Sequence, residues 1–144
     1  MVHKLMTLYR GIPGSGKSTL AKSQNQSVFE ADQYFEDDEG VYRYDRSKIG
    51  EAHTTCFRGV GKAIKARVEL IGVSNTFINY HELSPYVMLG ESYGYEVRIM
   101  TLLVDPEVAA KRCVHDVPLD IIRRMDSHLR EEKIPGRVPH HVFG

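Results

Sequence analysis

The chain has 144 residues, 42% of them apolar, and equal numbers of basic and acidic side chains, 19 of each, for a formal net charge of +0. This length can bury one core but leaves no room for a second full domain, and the neutral total argues against a protein held on nucleic acid by bulk charge alone, though a local basic groove can hide inside it. No apolar run approaches the roughly 18 residues of a membrane span, the N-terminal residues lack the long apolar segment of a signal peptide, and the two cysteines, Cys56 and Cys113, have neither metal spacing nor a disulfide framework. The expectation is a soluble cytoplasmic protein with reduced thiols.

Residues 5–9, Leu-Met-Thr-Leu-Tyr, read as a first strand, and residues 17–23 as a first helix. Between them, Gly11-Ile12-Pro13-Gly14-Ser15-Gly16-Lys17-Ser18 matches the phosphate-binding pattern G-x-x-x-x-G-K-[ST] at every fixed position. A nucleoside triphosphate carries several negative charges, so its site needs backbone N–H groups turned inward, and glycines let the chain come that close. Gly11, Gly14, Ser15, Gly16 and Thr19 belong to that cradle; Lys17 would reach the β and γ phosphates of ATP, and the Ser18 hydroxyl would hold Mg²⁺.

Residues 27–30 form a short second strand ending in Ala31-Asp32, and an acidic segment, residues 36–40, follows as a solvated loop. Ile49, Ala52, Cys56, Val60, Ala63 and Ile64 recur at helical spacing within residues 47–67, so one face of a long helix should lie on the sheet. Residues 68–73 are the next strand, with Ser74-Asn75-Thr76 at its carboxyl end. Asn79 and Glu82 are spaced as a capping box for a helix carrying Tyr86 to Leu89, which Gly94 ends. Residues 95–104 make a further strand. Asp105-Pro106-Glu107 starts a helix with a capping carboxylate and proline at its first position. A last helix runs from about Pro118 to Glu132, and the tail, residues 135–144, with two prolines and two glycines, reads as irregular.

Strands alternating with helices imply one α/β domain over residues 1–144, on a mostly parallel sheet layered between helices. In such sheets ligands bind beyond the carboxyl ends of the strands, where the Gly11 to Ser18 loop, Asp32, Ser74-Asn75 and Asp105 all fall. Asp105 is explained by its cap. Asp32 is the candidate general base, since a carboxylate there can face the γ phosphate and accept a proton from a hydroxyl; a turn aspartate bonded to its own backbone is the alternative. Residues 111–118, with Lys111, Arg112 and His115, suit a small lid. Arg112 is the candidate lid cation because a guanidinium fits phosphate oxygens as a fork, the alternative being a solvated arginine at a helix end.

Tyr34, Phe35, Tyr42 and Tyr44 with Arg43 and Arg46 could stack a nucleic-acid base or simply pack together. His53 beside Cys56 is read as a packed helix histidine. The basic residues Arg123, Arg124, Arg130, Lys133 and Arg137 are diluted by acids and read first as a solvated face, with a polynucleotide-binding rim as the other reading.

In order and spacing, several segments resemble the kinase domain of phage polynucleotide 5′-hydroxyl kinases and their AAA-type P-loop kinase relatives. They are the phosphate loop through Ala21; Ala31-Asp32-Gln33-Tyr34-Phe35; Tyr42-Arg43-Tyr44-Asp45; Ser74-Asn75-Thr76; Tyr93-Gly94-Tyr95-Glu96-Val97; Lys111-Arg112; and the run from Val117 to Met125. The resemblance implies the P-loop NTPase fold, with a helix-flanked α/β/α parallel sheet and a small helical lid, and transfer of the γ-phosphoryl group of ATP, with Mg²⁺, to a hydroxyl. It makes Lys17 and Ser18 ligands of phosphate and metal, Asp32 the base and Arg112 a lid residue. The implied acceptor is the 5′-hydroxyl of a polynucleotide, ahead of a modified nucleobase, a nucleoside or another small alcohol. Three positions depart from the family: Phe35 replaces an arginine three residues after the catalytic aspartate, no carboxylate stands within Ser74 to Phe77, and a second lid arginine has His115 as its nearest substitute. A neutral Ser74 or Asn75 could still orient a Mg²⁺-bound water. A nucleotide-binding module without transfer activity is the reading of a different class.

Overall fold

The computed structural model describes residues 3–113 and 115–144. Its centre is β1, Leu5–Arg10, whose side chains are almost all buried because both of its edges and both of its faces are covered. Around it lie α1 (Lys17–Gln24), β2 (Ser27–Phe29), α2 (Ile49–Lys65), β3 (Leu70–Asn75), α3 (Tyr80–Ser92), β4 (Glu96–Leu102), α4 (Pro106–Arg112), α5 (Leu119–Glu131) and β5 (His140–Phe143). The strands form one sheet in the order β2-β3-β1-β4-β5. Every pairing is parallel, so each connection must cross the sheet, and the helices that make those crossings supply the outer layers.

Alternation along β1 divides the core. Met6 and Leu8 join Cys56, Val60 and Ile64 of α2 and Leu83 and Val87 of α3 on one face, whereas Tyr9 packs with Ala21 of α1 and Met100 on the other. Burying each of the larger aliphatic side chains contributes about 1.5–3 kcal/mol. Gly90 of α3 permits this packing, since a Cβ there would come within 2.7 Å of Met6 and Val97. A satellite cluster of Ile12, Ala109, Ile122 and Leu129 joins the phosphate loop to α4 and α5 beyond the strand ends.

Neighbouring strands β1 and β3 send their chains to opposite faces, β1 into α1 and β3 into α3. The crevice that opens between them at their carboxyl ends is where an α/β sheet binds its ligand. Arg10, at the end of β1, braces this region from beneath. It is almost wholly buried and donates to the carbonyls of Phe77 (2.9 Å), Ile78 (3.0 Å) and Leu129 (3.2 Å) and to Thr101 Oγ1 (3.2 Å). Burial holds its pKa below the ordinary arginine value, and the charges of Glu132 and Glu82 oppose that effect.

Four sequence expectations need correction. The tail is not irregular throughout: His140–Phe143 pairs with β4, with Leu103 N donating to Phe143 O at 2.7 Å. Its side chains are largely exposed at the sheet edge, so no apolar alternation marked it. Asn79 does precede α3 but makes no side-chain cap, and the first-turn N–H of Tyr80 goes instead to Glu132 Oε2 at 2.6 Å. β3 begins and also ends two residues later than expected, so Ser74 and Asn75 lie inside the strand. On α2 the expected face is buried except for Ile49, which is exposed. The Asp105 cap is as expected, accepting from Glu107 N at 2.8 Å.

Candidate active site

The phosphate loop turns tightly because Gly14 and Gly16 adopt φ of +83° and +92°. Gly14 also lies under α4, where a Cβ would meet Ala109 O at 2.1 Å. α1 then begins with no side-chain cap and no acidic residue in its first turn. Its free N–H groups and the positive end of its dipole face the crevice, an arrangement that favours an anion. Lys17 Nζ rests on Ile12 O at 3.3 Å, a weak contact for an ammonium group. Burial lowers its pKa from the ordinary lysine value, opposed by Asp32 and then Glu30. Ser15 Oγ is buried without a hydrogen-bond partner. Uncapped amides and a weakly bonded lysine in one loop fit a polyphosphate.

The crevice is a cleft of about 510 Å³ lined by the loop residues Pro13, Gly14, Gly16, Lys17, Ser18 and Thr19, and by Asp32, Ser74, Asn75, Arg112 and His115. The structure thus brings together the sequence-derived candidates Lys17, Ser18, Thr19, Asp32 and Arg112. Gly11 and Ser15 are buried beneath the loop rather than in the cleft wall, and Gly11 is tight for that reason, a Cβ there lying 2.5 Å from Ser15 Oγ. Asp105 stays outside the lining, occupied by its cap. Arg112 reaches the cleft from the last turn of α4, and the expected lid, residues 111–118, includes Val114, which lies outside the described residues.

The cleft carries charge of both signs: the acidic side chains Glu30, Asp32 and Glu36 line it together with Lys17, Lys22 and Arg112. Asp32 sits on a 3-10 turn, Ala31–Phe35, rather than on a strand, and its side chain is 56% exposed, open to an incoming group. Two residues not assigned to it from sequence surround it: Tyr42, whose hydroxyl donates to Oδ1 at 3.3 Å, and His115, whose Nε2 lies 3.9 Å from Oδ2. Asn75 fixes the turn from below. Its Oδ1 accepts from Ala31 N at 2.9 Å and its amide nitrogen lies 3.8 Å from Cys56 Sγ, so Asn75 is committed within the protein. Ser74 Oγ, one residue away, is buried without a partner. The sequence places Asn75 at a strand end; that its amide holds the neighbouring turn depends on the β2–β3 pairing, which no local pattern reveals.

Other candidates resolve into packing. Phe35 is buried, with edge contacts to Tyr34 and Tyr42, and Tyr34 is hydrogen-bonded to Glu51; Tyr44 remains exposed. Of the basic residues in the last helix and tail, Arg123 pairs with Glu107, Arg130 with Asp126 and Arg137 with Glu91, the pattern of a solvated face. His53 is the exception: it is not packed as expected but exposed on α2, where it lines the cleft. A second hollow of about 610 Å³ over α3, lined by Phe57, Met88 and Leu89 among others, shares no lining residue with the cleft.

A phosphate loop between the first strand and first helix of a parallel sheet, with a polar cleft at the strand ends, defines an α/β domain of the P-loop NTPase fold. The chain belongs to the AAA_33 family of AAA domains, whose model matches residues 6–115. It is 31% identical over 133 residues to NEDD4-binding protein 2 of Homo sapiens, a match covering 86% of this chain and only 8% of that much longer protein. Among solved structures, the fold is similar to a chain of the Pnkp1/Rnl/Hen1 RNA repair complex, with TM-score 0.71 and 18% identity over 90% of this chain and 45% of that one. It is also similar to a sugar kinase from Janibacter sp., with TM-score 0.62 and 18% identity over 97% and 84% of the two chains. A gluconokinase from Sinorhizobium meliloti is similar too, with TM-score 0.57 and 17% identity over 99% and 83%. No described helix is long and apolar enough to cross a membrane.

Proposed function

We propose that this domain is a phosphotransferase that moves the γ-phosphoryl group of ATP to a hydroxyl, with the 5′-hydroxyl end of a polynucleotide as its first acceptor. The observation that carries the reading is that Lys17 and Asp32 line one cleft, close enough that the Asp32 charge acts on the lysine. In the reaction, the acceptor oxygen forms a bond to the γ phosphorus as the bond to the bridging oxygen of ADP breaks, and Asp32 takes the hydroxyl proton. Lys17 and the amides at the start of α1 bind the phosphates, and Arg112 offers a forked cation from the opposite helix end. Ser18 would hold Mg²⁺, which neutralises charge on the phosphate oxygens when bound. Asn75 is spent on Ala31, so only Ser74, with its orphaned hydroxyl, is left on β3 to orient a metal-bound water.

The polynucleotide acceptor draws on the sequence resemblance and on the likeness to a chain of an RNA repair complex. A second reading, a small alcohol such as a nucleoside or sugar, is favoured by the acidic side chains Glu30, Asp32 and Glu36, which repel a strand of phosphates, and by the two sugar kinases of similar fold. Incubation with γ-labelled ATP, Mg²⁺ and either a 5′-hydroxyl oligonucleotide or a panel of small alcohols separates them. Label on the oligonucleotide supports the first reading, and label confined to a small alcohol replaces it with the second. Asp32→Asn should abolish transfer while nucleotide binding persists. Tight ATP binding with no transfer to any acceptor would make the chain a binding module.

A further inference from the structure

We propose that Tyr42 and His115 form a clasp over Asp32, in which Tyr42 is a positioning residue for the carboxylate and His115 closes the acceptor side of the cleft by seating on the Tyr42 ring. The proposal rests on the reading of Asp32 as the base. It goes beyond that reading by giving roles to two side chains from separate segments of the chain.

An exposed aspartate on a short turn samples several rotamers, yet a base must present one oxygen in one direction. Tyr42 supplies the constraint. It lies where the acidic loop closes on itself through the antiparallel bridge between Glu36 and Tyr42, and its ring packs edge-on against buried Phe35 at 6.1 Å. The core therefore holds the ring, and the ring aims its hydroxyl at Asp32 Oδ1. Oδ2 is left for an incoming hydroxyl. Burial, then the charge of Asp32 and the hydrogen bond to it, hold the Tyr42 phenol well above the ordinary tyrosine pKa, so it remains a donor in the working pH range.

His115 completes the arrangement from the segment between α4 and α5. Its ring stacks on Tyr42 with centroids 3.9 Å apart and planes 29° apart, a close, nearly parallel contact. Its Nε2 stands 3.9 Å from Asp32 Oδ2, too far for a direct hydrogen bond but wide enough for one oxygen to bridge both atoms. An acceptor hydroxyl placed there donates its proton to Oδ2 beside the His115 ring. The clasp also joins the segment just before α5 to the turn carrying Asp32 and to the loop that follows it.

The test compares Tyr42→Phe, Tyr42→Leu, His115→Ala and His115→Phe, using the 5′-hydroxyl oligonucleotide or whichever alcohol takes label. His115→Ala should raise the acceptor KM about tenfold with kcat within about twofold, and His115→Phe, which keeps a ring for stacking, should restore most of that loss. Tyr42→Phe should lower kcat about fivefold at unchanged KM, because only the hydrogen bond is lost. Tyr42→Leu should show both effects, and binding of a fluorescent ATP analogue should stay unchanged throughout. Equal defects in the two His115 variants, or a silent Tyr42→Phe, would overturn the clasp. NMR reads it without any activity: the His115 ring protons should be shifted upfield by the Tyr42 ring, and that shift should vanish in Tyr42→Leu and survive in Tyr42→Phe. If Asp32→Asn transfers phosphate normally, the base reading fails while the NMR result still judges the clasp. If Asp32→Asn is inactive and the His115 signals ignore Tyr42→Leu, the clasp alone fails.

Discussion

The two walls of the cleft are made in different ways. The wall proposed for the donor is chiefly backbone, a loop with two left-handed glycines followed by an uncapped helix that begins at Lys17. The wall proposed for the acceptor is chiefly side chain, with Tyr42 and His115 meeting Asp32 from two other segments and Asn75 of β3 bracing the turn that carries Asp32. Backbone geometry is written into a contiguous motif and tolerates little change. A wall assembled from distant side chains can be retuned one residue at a time, which suits a scaffold whose similar folds include both an RNA repair chain and sugar kinases.

The strongest test of the donor wall is Lys17→Met. It should lower transfer about a thousandfold, the scale on which removing a principal electrostatic contact acts, with little loss of stability because the lysine makes only one long hydrogen bond. A stable variant with near-normal transfer would show that the amides suffice. Next come the glycines. Gly14→Ala forces a left-handed φ on alanine and drives its Cβ into Ala109 O, so a loss of about 3 kcal/mol is expected. Gly16→Ala has the same φ sign but open space and should cost only about 1–2 kcal/mol. Chemical denaturation ranks the pair, and equal losses would mean that α4 yields without resistance.

The same division explains what could be read from sequence. The phosphate loop, the strand-helix alternation and the Asp105 cap depend on neighbours in the chain, so residue order revealed them. The β5 edge strand was hidden because its outward side chains carry no apolar period, and the cap of α3 because Glu132, far along the chain, replaces Asn79. Arg10 looks like an ordinary end of an apolar run; its burial under three carbonyls exists only once α5 and the segment after β3 are folded over it. On the acceptor wall, Asp32 was legible as a carboxylate after a strand, whereas the Tyr42 and His115 contacts to it are tertiary.

Asn75→Ala sharpens the comparison from the acceptor side. It leaves the buried Ala31 N–H without its partner, at a cost of about 1–3 kcal/mol, and frees the turn that carries Asp32. Transfer should fall about tenfold while ATP affinity holds; an equal fall in ATP affinity would break the claim that the walls act separately. Acid provides a control that should not distinguish the walls. His140, on the strand beside β4, bonds through Nε2 to Thr101 Oγ1 at 2.6 Å, and Thr101 also accepts from Arg10. Burial, then the Arg10 charge, lowers the His140 pKa below its ordinary value of 6.5. The unfolded chain therefore binds the proton first, so this contribution is intact above pH 6.5 and is lost as the pH falls from there through the folded value. His140→Gln should flatten that part of the stability profile, read by thermal melting across pH, without altering the ratio of donor to acceptor affinity.

Ser74→Ala is the smallest change and the one whose two readouts should move in opposite directions. The Ser74 hydroxyl is buried at the end of β3 with no partner among the described residues, so deleting it removes an unsatisfied polar atom and should raise stability by up to about 1 kcal/mol. If that hydroxyl orients a metal-bound water, the same deletion should raise the Mg²⁺ concentration needed for half-maximal transfer about threefold, since the lost contact is neutral and indirect. Stability gained together with a weaker metal response would give the acceptor side of the sheet a share in the donor's metal and blur the division between the walls at this one residue. Stability lost with an unchanged metal titration would make Ser74 a packed core serine and leave the metal to Ser18 and the phosphates.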